Sequence, residues 1–105
     1  MTNAIYTVSF KLKKGTNTQE FLAAAKALND NYISKQPGYI SWQQGFDKEK
    51  ELWADFCTFA SMEDAQNFLK NSETPNEHAL AFYSFLNLPS CVSRLYSVEV
   101  THKNT

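Results

Sequence analysis

The chain of 105 residues is predicted to form a single α+β domain with the ferredoxin-like order βαββαβ. Apolar residues recur at every second position in four segments, which indicates four strands. Apolar residues recur at helical spacing in two further regions, one between the first and second segments and one between the third and fourth. Split βαβ units of this order form a four-stranded antiparallel sheet that carries both helical regions on one face.

The first half of the chain predicts a strand, a helix and a second strand. Alternate residues from Ala4 to Leu12 are apolar, as in a strand with one buried face. A helix capped by Thr16 or Thr18 follows. It ends before Pro37, because proline disfavours the helical conformation in the residue that precedes it. The second strand extends from Tyr39 to Phe46.

The second half predicts a third strand, an interrupted helix and a fourth strand. Leu52 to Ala60 forms the third strand. Ser61 caps a second helix, which is broken at Asn71 to Thr74 and restarts at Pro75 with Thr74 as its cap. Asn87 to Ser90 turns the chain, and the fourth strand occupies Val92 to Thr101.

Composition and charge exclude several classes of partner. The net charge is −1, and the Lys and Arg residues are scattered, which argues against nucleic acid or an acidic membrane. No apolar run approaches the roughly 18 residues of a membrane span, and the N-terminus has no signal-peptide pattern. We therefore expect a cytoplasmic protein with reduced cysteines.

The third strand indicates a homodimer. Its two faces are both apolar, with Leu52, Ala54 and Phe56 on one face and Trp53, Cys57 and Phe59 on the other. Two helical regions cover only one face of the sheet, so a second copy of the chain is the simplest cover for the other face. Such an interface is expected to bury on the order of 2,000 Å² or more.

Short motifs at the starts of elements give the chain a resemblance to a known family. The motifs on which the resemblance rests are Lys14-Gly15-Thr16, Phe21-Leu22, Pro37-Gly38-Tyr39-Ile40, Leu52-Trp53-Ala54-Asp55-Phe56 and Ser61-Met62-Glu63-Asp64-Ala65. With these motifs the chain resembles the antibiotic biosynthesis monooxygenase-like group of dimeric α/β barrels. The resemblance implies two sheets packed back to back in a dimer, with a pocket between the sheet and the helices of each subunit.

The resemblance also implies a chemistry. Catalytic members of the group oxidise phenolic or quinol-like compounds with molecular oxygen and no bound cofactor, and one branch binds and opens haem. Many members carry a Glu and a Trp on strand three where this chain has Cys57 and Phe59. The haem-opening branch uses an Asn, a Trp and a His at the places of Val8, Phe68 and His78, and only the histidine matches.

These considerations give two hypotheses for function. The first is a cofactor-independent monooxygenase that acts on a small aromatic compound, with His78 and Tyr83 as candidate catalytic residues. The second is a non-catalytic module of the same fold that binds a small ligand or haem. In both cases the expected pocket walls are aromatic, namely Trp42, Trp53, Phe68 and Phe82. Two Cys and two His far apart in sequence predict no metal site.

Overall fold

The computed structural model describes residues 2–104, and it contains the predicted sheet. The strands are β1 (Ala4–Leu12), β2 (Tyr39–Asp47), β3 (Leu52–Phe59) and β4 (Leu86–Ser97), and the helices are α1 (Thr18–Asn31), α2 (Met62–Asn71) and α3 (Glu77–Tyr83). A short 3-10 helix, Ile33–Lys35, follows α1. The strand order is β2-β3-β1-β4, and every neighbouring pair is antiparallel, so the ferredoxin-like topology predicted from the sequence is confirmed.

Side-chain caps define the helix starts. Ser61 Oγ accepts a hydrogen bond of 3.1 Å from the backbone N–H of Asp64, as predicted for α2. The predicted threonine caps of the other two helices are wrong. Asn17 Oδ1 accepts from the N–H of Glu20 at the start of α1, and Asn76 Oδ1 accepts from the N–H of Ala79 at the start of α3. Each asparagine stands directly before the first helical residue, where its side-chain carbonyl reaches the free N–H groups of the first turn.

The fourth strand begins earlier and ends earlier than predicted. The sequence predicts a turn at residues 87–90 because they contain Asn, Pro and Ser, yet Asn87 pairs with Lys11 in the sheet. A register shift between Ser9 and Lys11 accommodates Pro89, which lacks a backbone N–H. Ser90 Oγ accepts a 2.8 Å hydrogen bond from the N–H of Lys11 and completes the pairing. Because β4 is an edge strand, the sheet tolerates the proline there.

The helices cover one face of the sheet, and the pairing register defines that face. Tyr6 on β1 lies opposite Cys57 on β3, and Cys57 lies opposite Trp42 on β2. A cluster of buried apolar residues fills the space between this face and the helices. Its fully buried large members are Phe10, Phe21 and Phe59. Aromatic rings hold the layers together, with the Phe59 and Phe68 ring centroids 5.1 Å apart.

The opposite face of the sheet, which we call the open face, has no helix on it. Of the two sets on strand three, Trp53, Cys57 and Phe59 lie on the helix side. The open face carries Ala54 and Phe56 of β3 with Val92, Arg94 and Tyr96 of β4. The large apolar side chains among them are 42–50% exposed. The described chain therefore exposes an apolar strip along the two strands that flank β1.

Candidate ligand-binding site

A cavity of about 230 Å³ lies between the sheet and the helices. Both layers of the domain contribute to it: β1, β3 and β4 provide its floor, Trp42 of β2 closes one side, and α1, α2 and α3 form its roof. Its surface is mainly apolar. The aromatic residues on its walls are Tyr6, Phe10, Trp42, Phe68, Phe82 and Tyr83. Apolar walls with a few inward polar groups are typical of sites for small organic molecules.

One carboxylate lies in this apolar cavity. Asp55 is on the central part of β3, between Val8 of β1 and Gln44 of β2 in the pairing register, and it is 8% exposed. Gln44 Nε2 donates a 3.0 Å hydrogen bond to Asp55 Oδ1. Burial raises the pKa of Asp55 from 3.8 to about 6, while interactions with the side chains of Gln44 and Trp42 act in the opposite direction.

The other polar groups in the cavity are neutral near pH 7. Burial raises the pKa of Tyr6 and of Tyr83, so both hydroxyls keep their protons and remain hydrogen-bond donors. Burial also raises the pKa of the Cys57 thiol to about 12 and raises that of Cys91, so neither thiol is an activated nucleophile. These two cysteines lie on β3 and β4, with β1 between them. Asp55 is therefore the group of this cavity that changes charge near neutral pH.

The structure brings four of the six sequence-predicted site residues together. Trp42, Phe68, Phe82 and Tyr83 all line the cavity. The ring centroids of Trp42 and Phe82 are 5.6 Å apart, and those of Phe82 and Tyr83 are 6.1 Å apart. Each of these contacts has the edge-to-face geometry that aromatic pairs favour.

The remaining two residues lie elsewhere. Trp53 packs between Phe21 and Phe46, with ring centroids 5.1 and 4.9 Å away, and it is outside the cavity lining. His78 also lies outside the lining. Its side chain is 34% exposed, and its Nε2 is 3.8 Å from Glu77 Oε1. Beside residues 72–76, which separate α2 from α3, the structure has only a narrow void of about 20 Å³, enough for about one water.

Asp55 is the main residue that sequence reasoning missed. The signal was present in β3, where Trp53, Cys57 and Phe59 alternate on one face and a charged residue occupies the same face between them. Charged side chains are rarely buried unless they are paired or functional. An acidic residue on the inward face of an otherwise apolar strand therefore indicates a candidate site.

Within residues 2–104, no group of three or more His, Cys, Asp and Glu side chains is arranged to hold a metal ion. The same part of the chain contains no helix that is both long and apolar enough to cross a membrane.

Sequence comparison finds no relative, whereas structural comparison finds many. No protein-family model and no curated protein matches the chain. SnoaB, a cofactor-independent oxygenase from Streptomyces nogalater, is 14% identical with a TM-score of 0.71, over 96% of this chain and 97% of SnoaB. The monooxygenase ActVA-Orf6 of Streptomyces coelicolor, solved in complex with nanaomycin D, is 10% identical with a TM-score of 0.75, over 99% and 94% of the two chains.

A protein of unknown function from Nitrosomonas europaea also matches, at 19% identity with a TM-score of 0.64, over 100% of this chain and 97% of that one. The overlaps extend over nearly the whole length of each chain, so the likeness is one of complete domains. The protein therefore shares the fold of these solved structures, and this is the fold that the resemblance in the sequence motifs implied.

Proposed function

We propose that the protein is a cofactor-independent monooxygenase that acts on a small phenolic or quinol-type aromatic compound. The observation that carries the proposal is the aromatic-walled cavity with a single buried carboxylate. The shared fold supports it, because SnoaB is a cofactor-independent oxygenase and ActVA-Orf6 is a monooxygenase with an organic ligand.

The walls of the cavity suit a flat, electron-rich ligand. An apolar cavity of about 150 Å³ in another protein accepts benzene, so about 230 Å³ accommodates a flat compound of up to three fused rings. Trp42, Phe68 and Phe82 offer ring faces and edges for stacking. The hydroxyls of Tyr6 and Tyr83 can donate hydrogen bonds to a ligand oxygen.

Without a bound cofactor, the electrons for oxygen reduction come from the substrate. In the proposed reaction the phenolic substrate reacts as its keto tautomer, in which a ring CH₂ and O₂ give a ring carbonyl and water. The substrate loses four electrons, one oxygen atom enters the product, and the other takes up both hydrogens as water. The role of the protein is to bind the ring, exclude bulk water and position the reacting carbon.

The proposal predicts ligand-dependent quenching of Trp42 fluorescence together with oxygen uptake. Ser93 lines the cavity on β4, and Ser93→Phe is expected to fill space there and lower both signals at least tenfold. Ser97→Phe is the matched control, because Ser97 lies on the same face of β4 but four residues away and outside the cavity. The measurements are fluorescence titration and an oxygen electrode with a panel of hydroquinones, naphthols and anthrones.

Two outcomes of this experiment contradict the proposal. Quenching without oxygen uptake across the panel would show that the protein binds the ligand but does not oxidise it, which favours a binding module of the same fold. Equal signals in Ser93→Phe and Ser97→Phe would place the ligand outside this cavity. Trp42→Phe identifies the reporting side chain, because Trp53 remains as the second fluorophore outside the cavity.

We also propose that a second copy of the chain covers the open face. Phe56, Val92 and Tyr96 are 42%, 49% and 50% exposed there, and together with Ala54 they form an apolar strip that Thr7 and Ser9 of β1 and Arg94 of β4 interrupt. Monomeric proteins rarely expose such strips. A two-fold axis through the open face would place each strip against its copy.

This part of the proposal predicts a particle of twice 12.0 kDa in light scattering at micromolar concentration. Phe56→Glu is expected to shift the protein to the monomer, because it places two charges in an apolar interface. Leu80→Glu introduces the same charge on α3, on the helix side of the sheet, and should leave the dimer intact. A monomeric wild-type protein would contradict the proposed assembly.

A further inference from the structure

Asp55 is held in place from several sides. It lies in the middle of β3, with β2 on one side and β1 on the other. Gln44 fixes its Oδ1 with a 3.0 Å hydrogen bond from β2. A carboxylate on a central strand, oriented by a neighbouring side chain and bordering a cavity, has the rigid placement that a reacting group needs.

The surroundings of this carboxylate give it no counter-charge. Among the described residues that line the cavity there is no Lys, Arg or His. The other titratable groups that line the cavity are Tyr6 of β1, Cys57 of β3, Cys91 of β4 and Tyr83 of α3, all of which keep their protons near pH 7. An anionic carboxylate without a cationic partner gains most from a ligand that brings a proton to it.

We infer that Asp55 is the base of the site, accepting a proton from an acidic O–H or C–H group of the aromatic ligand. The inference rests on the proposed function and adds to it the residue that activates the substrate. The proton moves to a carboxylate oxygen, the substrate keeps the electron pair as a phenolate or its carbon-acid equivalent, and Asp55 becomes a neutral carboxylic acid. The total charge in the cavity is unchanged, so the step adds no uncompensated charge to an apolar space.

Two further features fit this role. Burial raises the pKa of Asp55 to about 6. At a pH near this value a carboxylate is largely deprotonated and is also basic enough to accept a proton from a ligand. Tyr6 on the floor of the cavity and Tyr83 on its roof remain protonated, and their hydroxyls can stabilise the negative charge that develops on the substrate oxygen.

The test measures proton abstraction without oxygen chemistry. Anthrone exchanges its methylene hydrogens with deuterated solvent only after it loses a proton, and exchange can be followed by NMR under argon. We expect the wild-type protein to catalyse this exchange with an apparent pKa of about 6. Asp55→Asn should slow it at least about 100-fold. Asp47→Asn removes a carboxylate at the exposed end of β2 and should have no effect.

A second variant separates a base from a structural residue. Gln44 lowers the pKa of Asp55, so Gln44→Leu should shift the pH profile of exchange to higher pH, which loss of packing alone would not do. Wild-type protein that fails to catalyse exchange, an Asp55→Asn variant that retains it, or an unshifted profile in Gln44→Leu would each overturn the inference. Exchange without oxygen uptake would preserve Asp55 as a base while contradicting the oxygenase.

Discussion

Replacing Asp55 with Asn should make the protein more stable at pH 7.5, by up to about 3 kcal/mol, and should have little effect at pH 4. The upper limit corresponds to the rise in pKa from 3.8 to about 6 on folding, at about 1.4 kcal/mol per unit. The folded state holds the Asp55 proton more tightly than the unfolded chain. Its contribution to the free energy of unfolding is therefore full below pH 4 and is lost as the pH rises through about 6.

Chemical denaturation of both proteins at pH 4 and pH 7.5 tests this prediction. Other acidic groups titrate alike in the two proteins, so the difference between their free energies of unfolding isolates Asp55. Asn keeps a carbonyl that can accept the hydrogen bond from Gln44. A difference that is the same at both pH values would contradict the elevated pKa. A variant that is more stable yet slower in exchange would mark Asp55 as a residue kept for function at the expense of stability.

The second large effect is expected in the core. Phe21→Ala should lower the free energy of unfolding by about 3 to 5 kcal/mol, because the deletion leaves a cavity that the surrounding rings fill only in part. Phe21 of α1 is fully buried. Its ring centroid is 5.1 Å from that of Trp53 and 5.4 Å from that of Phe82, so one side chain joins α1 to the sheet and to α3.

Leu80→Ala is the control for Phe21→Ala. Leu80 lies on α3 and is 56% exposed, so its truncation should change the free energy of unfolding by less than about 0.5 kcal/mol. Urea denaturation at one protein concentration is the measurement, because the proposed dimer would make apparent stability depend on concentration. A loss below about 1 kcal/mol in Phe21→Ala would mean that the packing of α1 on the sheet and α3 does not depend on this side chain.

The sequence carries enough information for the fold because the elements that define it have strong periodic patterns. Alternation in β1 and β3 and the Ser61 cap of α2 are local features, and each appears in the structure where it was expected. The start of β4 could not be read in this way. Pro89 and its polar neighbours resemble a turn, and their pairing depends on a register shift opposite β1 that only the assembled sheet contains.

The candidate site was harder to predict because it depends on packing between distant segments. Trp42, Phe68 and Phe82 were predicted as pocket walls because their side chains are aromatic, and they line the cavity. His78 was selected for its chemistry, yet Ala79 and Phe82 are the buried residues of α3 and His78 lies beside that face. An α-helix advances about 100° per residue, so a single position separates an inward side chain from one at the flank.

Strand β3 serves two surfaces with alternate residues. Asp55 and Cys57 border the cavity, while Ala54 and Phe56 belong to the open face. In evolutionary terms, such a strand can change its residues but not its length. Inserting or deleting one residue within it would exchange the two sets, moving the carboxylate to the open face and Phe56 into the cavity. Relatives that keep this site should therefore vary in length at the loops and at the ends of the strands, and not within this central strand.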